Sequence, residues 1–185
     1  MCANIPRLTR GTTGLLVIDI QERLLPAMNE PEGVVQNAVR LVKGAAILGV
    51  PALFTEQYRK GLGPTVEAIT SVVPEFTAID KLAYSACGAP LFLDTLKGKK
   101  VSNVLLCGIE SHVCVSQTCL DLLEQDYRVF VVADAVSSRT QENCRIGIDR
   151  MRDAGAVIVS TEMALLELCG AAGTPEFKQL LPLIK

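Results

Sequence analysis

Apolar runs alternate with segments of helical spacing along the chain. Residues 14–20, 50–55, 76–81, 101–107, 127–133 and 156–160 read as six strands. Their apolar residues run on without alternating, which marks strands buried on both faces. Between them, residues 34–48 place Val35, Val39, Val42 and Ala46 on one helical face and stop at Gly49. Further helices are predicted at 65–73, at 90–96 behind Pro90, at 114–125 and at 161–169 before Gly170. Another covers 138–154, with Ser137 or Ser138 as its cap, and a last one covers 176–184, interrupted at Pro182. Residues 58–64, with two glycines and a proline, read as a loop. The expected fold is α/β: a six-stranded parallel sheet sandwiched by helices, Rossmann-like, in one domain spanning residues 1–185.

Composition narrows the function. The 185 residues are 49% hydrophobic with a net charge of -2, which describes a globular domain with a sizeable core. The mild acidity and the 4% aromatic content leave neither a basic footprint nor stacking platforms, so no nucleic-acid partner is expected. No apolar run reaches the roughly 18 residues of a membrane span. Seven cysteines without an apolar leader point to free thiols in a reducing, cytoplasmic compartment. Arg7 and Arg10 in an acid-free N-terminal tail leave mitochondrial import open. One histidine and no CxxC pair exclude a structural zinc site.

Three residues stand where a parallel sheet gathers its chemistry. Asp19, Lys81 and Cys114 fall at or just past predicted strand ends, and those ends share one edge. A cysteine attacks a carbonyl carbon, a carboxylate takes and returns its proton, and an ammonium stabilises both anions. Cys114 follows Gly108 and a polar turn and opens a helix, a place that favours thiolate. The other cysteines read as small core hydrophobes. His112 is the rival base, but it lies two residues before Cys114 in the same turn and is expected only to line the pocket.

The stretches Leu16-Val-Ile-Asp-Ile-Gln21, Lys81 and Gly108-Ile-Glu-Ser-His-Val-Cys-Val115 resemble the isochorismatase-like (cysteine hydrolase) superfamily. Thr55-Glu-Gln-Tyr58, Gly61-Leu-Gly-Pro-Thr65 and Asp134-Ala-Val-Ser-Ser-Arg139 are closest to the subgroup of isochorismatase domain-containing proteins 1 and 2. The resemblance implies a catalytic triad: Cys114 as nucleophile, Asp19 as base and acid, Lys81 as electrostatic partner. It implies a cis peptide at Ile109-Glu110 that aims the N–H groups of Glu110 and Cys114 at an oxyanion. Gln21, Gln57, Tyr84 and His112 are expected to line the substrate pocket. The metal-binding histidines of the nicotinamidase branch have no counterpart around Thr55-Glu-Gln-Tyr-Arg59, so neither metal nor cofactor is expected. True isochorismatases lack the cysteine, so the implied reaction is hydrolysis of a small amide or carbamoyl compound. The rival readings are a non-catalytic scaffold and, from a ribonuclease label in some relatives, RNA processing. The resemblance also implies a homo-oligomer, dimer or tetramer. The apolar face of residues 115–123 is one candidate interface, although core packing accounts for it more simply.

Overall fold

The computed structural model describes residues 5–185; Cys2 and the start of the N-terminal tail lie outside them. Six parallel strands form one sheet: β1 (Thr13–Ile18), β2 (Ala52–Gln57), β3 (Ile79–Lys81), β4 (Asn103–Ile109), β5 (Arg128–Ser137) and β6 (Val157–Val159). Their order is β3-β2-β1-β4-β5-β6. The chain therefore winds outward from β1 in one direction and from β4 in the other. The reversal falls between β1 and β4, where Ile18 pairs with Gly108. A crevice at the carboxyl ends of the strands opens at such a point.

Helices cover both faces, as a buried parallel sheet requires. They are α1 (Pro31–Leu48), α2 (Arg59–Leu62), α3 (Glu67–Thr70), α4 (Phe92–Gly98), α5 (Ser116–Glu124), α6 (Gln141–Asp153), α7 (Thr161–Cys169) and α8 (Pro175–Ile184). Successive β1 side chains point to opposite faces. Leu15 and Val17 join a core with Leu41 of α1, Leu165 of α7 and Leu180 of α8. Leu16 and Ile18 join a second core with Phe92 of α4, Leu122 of α5 and Met151 of α6. Val115, Cys119 and Leu122 are buried in that second core, so the apolar face of residues 115–123 is interior packing.

Several local expectations need correction. β5 runs on to Ser137, and the α6 cap is Thr140, whose hydroxyl accepts from the Asn143 N–H at 3.1 Å. Ser137 and Ser138 are unavailable as caps. Ser137 donates to the Asn29 carbonyl, while Ser138 is bonded to Ser111 and His112. Residues 65–73 supply only the single turn α3, and the predicted loop at 58–64 contains the single turn α2. α8 continues through Pro182 without a break, since that proline sits exposed in the last turn. Among the described residues, no helix is long and apolar enough to cross a membrane.

Gly108 shows why the crevice forms here. Its φ is +121°, and a Cβ built on it would stand 2.1 Å from the Ile18 carbonyl oxygen. Only glycine lets β4 run this close to β1 as the chain turns away.

Candidate active site

Asp19 follows directly on β1 and is fully buried. Pairing of Ile18 with Thr55 brings the Thr55 hydroxyl onto Oδ1 at 2.7 Å. Lys81, the last residue of β3, donates from Nζ to Oδ2 at 2.7 Å. The same ammonium donates to Gln57 Oε1 at 2.7 Å and to the Tyr84 carbonyl at 2.9 Å. Both side chains of this ion pair have 0% exposure. A buried pair holds when the remaining donors are also satisfied, and here the Lys81 donors are.

Cys114 lies in a wide, single π-helical turn, Ser111–Val115, which precedes α5. Its Sγ stands 4.0 Å from Gln57 Oε1, so the thiol meets the residue that bridges it to Lys81. The peptide bond Ile109–Glu110 is cis. The N–H groups of Val113 and Val115 both return to the Glu110 carbonyl, at 3.0 and 3.1 Å, which folds the turn tightly under the thiol.

Burial acts against the thiolate that a helix start favours. Burial pushes the Cys114 thiol up to about 12, the Asp19 charge adds to this, and Lys81 opposes it. A thiol pushed this far up is protonated at neutral pH. Burial also raises the Asp19 carboxyl above its ordinary 3.8, against the pull of Lys81 and Thr55. A carboxylate with raised proton affinity beside a neutral thiol is suited to take that proton during an attack.

A cavity of about 480 Å³ opens above the thiol. Leu24, Ala27, Leu62 and Val113 form apolar walls, with Gln57, Tyr84, Glu110, Cys114 and Arg139 between them. Of the four residues expected to line a pocket, Gln57 and Tyr84 border this cavity; Gln21 and His112 do not. Gln21 is fully buried. Its Nε2 donates to the carbonyls of Gln57 and Gly63 at 3.1 and 2.6 Å, and its Oε1 accepts from the Gln57 N–H at 2.7 Å. It ties down the flap that carries Leu62. His112 packs its backbone against Gly147 of α6, and its Nδ1 shares a hydrogen with Ser138 Oγ at 2.9 Å. A larger hollow of about 560 Å³ lies between the start of α1 and α6 and holds none of Asp19, Lys81 or Cys114.

Sequence reasoning missed two contributors, Thr55 and Arg139, and gave Gln57 only a place in the pocket lining. Thr55 was legible in principle, because a strand beside β1 must set some residue against Asp19. Gln57 bridges Lys81 and the thiol as well as lining the cavity. Arg139 had no assigned role; its Nε donates to Glu110 Oε2 at 2.9 Å across the cavity wall.

Fold and site together define an open parallel α/β protein with a thiol, a carboxylate and an ammonium gathered at its strand reversal. The chain belongs to the isochorismatase domain family, whose model matches residues 13–163. It is 41% identical to the secreted isochorismatase effector Isc1 of Phytophthora sojae, over 97% of this chain and 87% of that protein. It is 37% identical to isochorismatase domain-containing protein 2 of Danio rerio, over 98% and 91% respectively. Among solved structures, MAR1 ribonuclease from Caenorhabditis elegans superposes with a TM-score of 0.91. The two chains are 41% identical, and the match covers 97% of this chain and 92% of that one.

Proposed function

We propose that the protein is a cysteine hydrolase that opens the C–N bond of a small amide or carbamoyl substrate. The observation that carries this reading is the buried Lys81–Asp19 pair beside the Cys114 thiol at the floor of a cavity. Cys114 Sγ attacks the carbonyl carbon as its proton passes to Asp19. The oxyanion is received by the N–H groups of Glu110 and Cys114. Asp19 then delivers the proton to the leaving nitrogen, and ammonia or an amine departs from a thioester. A water molecule, deprotonated by Asp19, attacks that thioester; the acid leaves and the thiol is restored. Lys81 keeps Asp19 ionised between steps and offsets the negative charge that develops beside it.

The test is ammonia release across a panel of small primary amides and carbamoyl acids, by wild type and by Cys114→Ala. Turnover that disappears in the variant, with an acyl adduct on Cys114 seen by mass spectrometry in wild type, is the expected result. Turnover that survives Cys114→Ala overturns the assignment. An RNA-processing role has only the names of structural neighbours behind it, among them the Caenorhabditis elegans protein and two from Leishmania. Phosphodiester backbones are held by clustered Lys and Arg, whereas the exposed cation of this cavity, Arg139, is already paired with Glu110. A non-catalytic scaffold would leave Cys114 inert toward every amide in the panel.

A further inference from the structure

We propose that Glu110 is a specificity-determining residue that reserves the cavity for uncharged amides with a short aliphatic acyl group. This inference rests on the hydrolase reading for its reaction but not for its binding test. Two cations face the site, and each already has its own carboxylate. Lys81 is bonded to Asp19 at 2.7 Å, and Arg139 Nε to Glu110 Oε2 at 2.9 Å. The Arg139 backbone N–H also leans on that oxygen at 3.4 Å, so the carboxylate grips both ends of the residue.

The balance of exposure makes Glu110 the controlling partner. The Glu110 side chain is 10% exposed and fixed in the turn that carries Cys114, whereas Arg139 is 62% exposed. Neither Nη nitrogen of Arg139 has a hydrogen-bond partner among the described residues. Without Glu110 that guanidinium would be a ready fork for a substrate carboxylate. With it, an incoming anion meets a carboxylate already in the cavity wall, and like charges in a partly desolvated site repel. The remaining walls are the apolar Leu24, Ala27, Leu62 and Val113 with the polar Gln57 and Tyr84, and none of them is a further Asp, Glu, Lys or Arg. A neutral alkyl chain fits such a surface, and a carboxylate does not.

The experiment compares two probes of equal chain length, butanamide and the succinamate monoanion. Binding is measured without turnover, on the Cys114→Ala protein, by NMR chemical-shift titration. Butanamide should bind at least about tenfold more tightly than succinamate. Adding Glu110→Gln keeps an acceptor for the Arg139 N–H groups but removes the charge, and should raise succinamate affinity about tenfold or more. Arg139→Gln, with Glu110 retained, should weaken succinamate further and widen its gap from butanamide. It stands in if the Glu110 variant fails to fold.

Tighter binding of succinamate by the parent protein overturns the proposal and makes Arg139 a carboxylate reader. Failure of the parent protein to bind butanamide overturns it too. Loss of ammonia release in wild type without loss of binding would instead fault the hydrolase reading.

Discussion

Replacing Lys81 with methionine isolates the buried ion pair. The thioether side chain would keep most of the aliphatic stem and remove the ammonium, which has hydrogen bonds to Asp19, Gln57 and the Tyr84 carbonyl at 2.7, 2.7 and 2.9 Å. Asp19 Oδ2 would then be orphaned, and Gln57 Oε1 left with only the Cys114 thiol at 4.0 Å, in a site nearly closed to water. Breaking one side of such a pair costs about 3–5 kcal/mol. The loss should depend on pH in a particular direction. Burial already holds the Asp19 carboxyl above 3.8, and removing Lys81 lifts it further.

An acid whose folded pKa exceeds its unfolded value binds its proton more tightly when folded. Its favourable contribution is complete below about pH 4 and is lost as pH rises through the raised folded value. Between the folded Asp19 values of wild type and variant, Lys81→Met should lose about 1.4 kcal/mol per pH unit relative to wild type. The penalty is therefore smaller at pH 5 than at pH 7. Urea unfolding followed by far-ultraviolet circular dichroism measures it, since the chain has no tryptophan to report by fluorescence. The double variant Asp19→Asn with Lys81→Met should recover at least about 1 kcal/mol at pH 7, because no buried charge is left alone. A single variant within about 1 kcal/mol of wild type, or one whose penalty grows on acidification, would refute the reasoning.

Three other outcomes follow from the same geometry. With the thiol pushed up to about 12, alkylation of Cys114 by iodoacetamide should climb about tenfold per pH unit from 6 to 9. A plateau near pH 7 would mean a preformed thiolate. Gly108→Ala forces a Cβ to 2.1 Å from the Ile18 carbonyl at a φ of +121° and should cost about 3 kcal/mol or more, read as a fall in melting temperature or soluble yield. Gln21→Leu strips the buried partners from Gln57 and the Gly63 carbonyl; it should cost about 2–4 kcal/mol and raise KM by loosening the flap at Leu62. An unchanged urea midpoint for that variant would count against the anchoring role.

The sheet and the three strand-end residues were readable because both follow from local pattern. Continuous apolar runs mark strands buried on two faces, and a parallel sheet places all their carboxyl ends on one edge. What escaped was set by contacts between distant segments. The α6 cap moved to Thr140 because Ser137 and Ser138 were already committed to Asn29, Ser111 and His112, partners that no local window contains. Gln21 was expected to line the pocket, but the bend after β1 turns it toward the flap backbone. The protonation of Cys114 was not legible either: the sequence places the thiol near a favourable dipole, while only the fold sets how little water reaches it.

The reversal of winding between β1 and β4 divides the molecule's capacity for change. Asp19 and the Cys114 turn hang from the two innermost strands, where Leu16, Ile18, Leu106 and Ile109 have at most 1% exposure and any altered volume is felt. Leu62, Tyr84 and Arg139 come from outlying segments: the flap after β2, the link after β3 and the exit from β5. Under the proposed hydrolase reading, relatives can exchange these outer residues, and with them the substrates admitted, while Asp19 and Cys114 stay fixed on the inner strands. Change is then tolerated at the cavity rim and resisted at its floor.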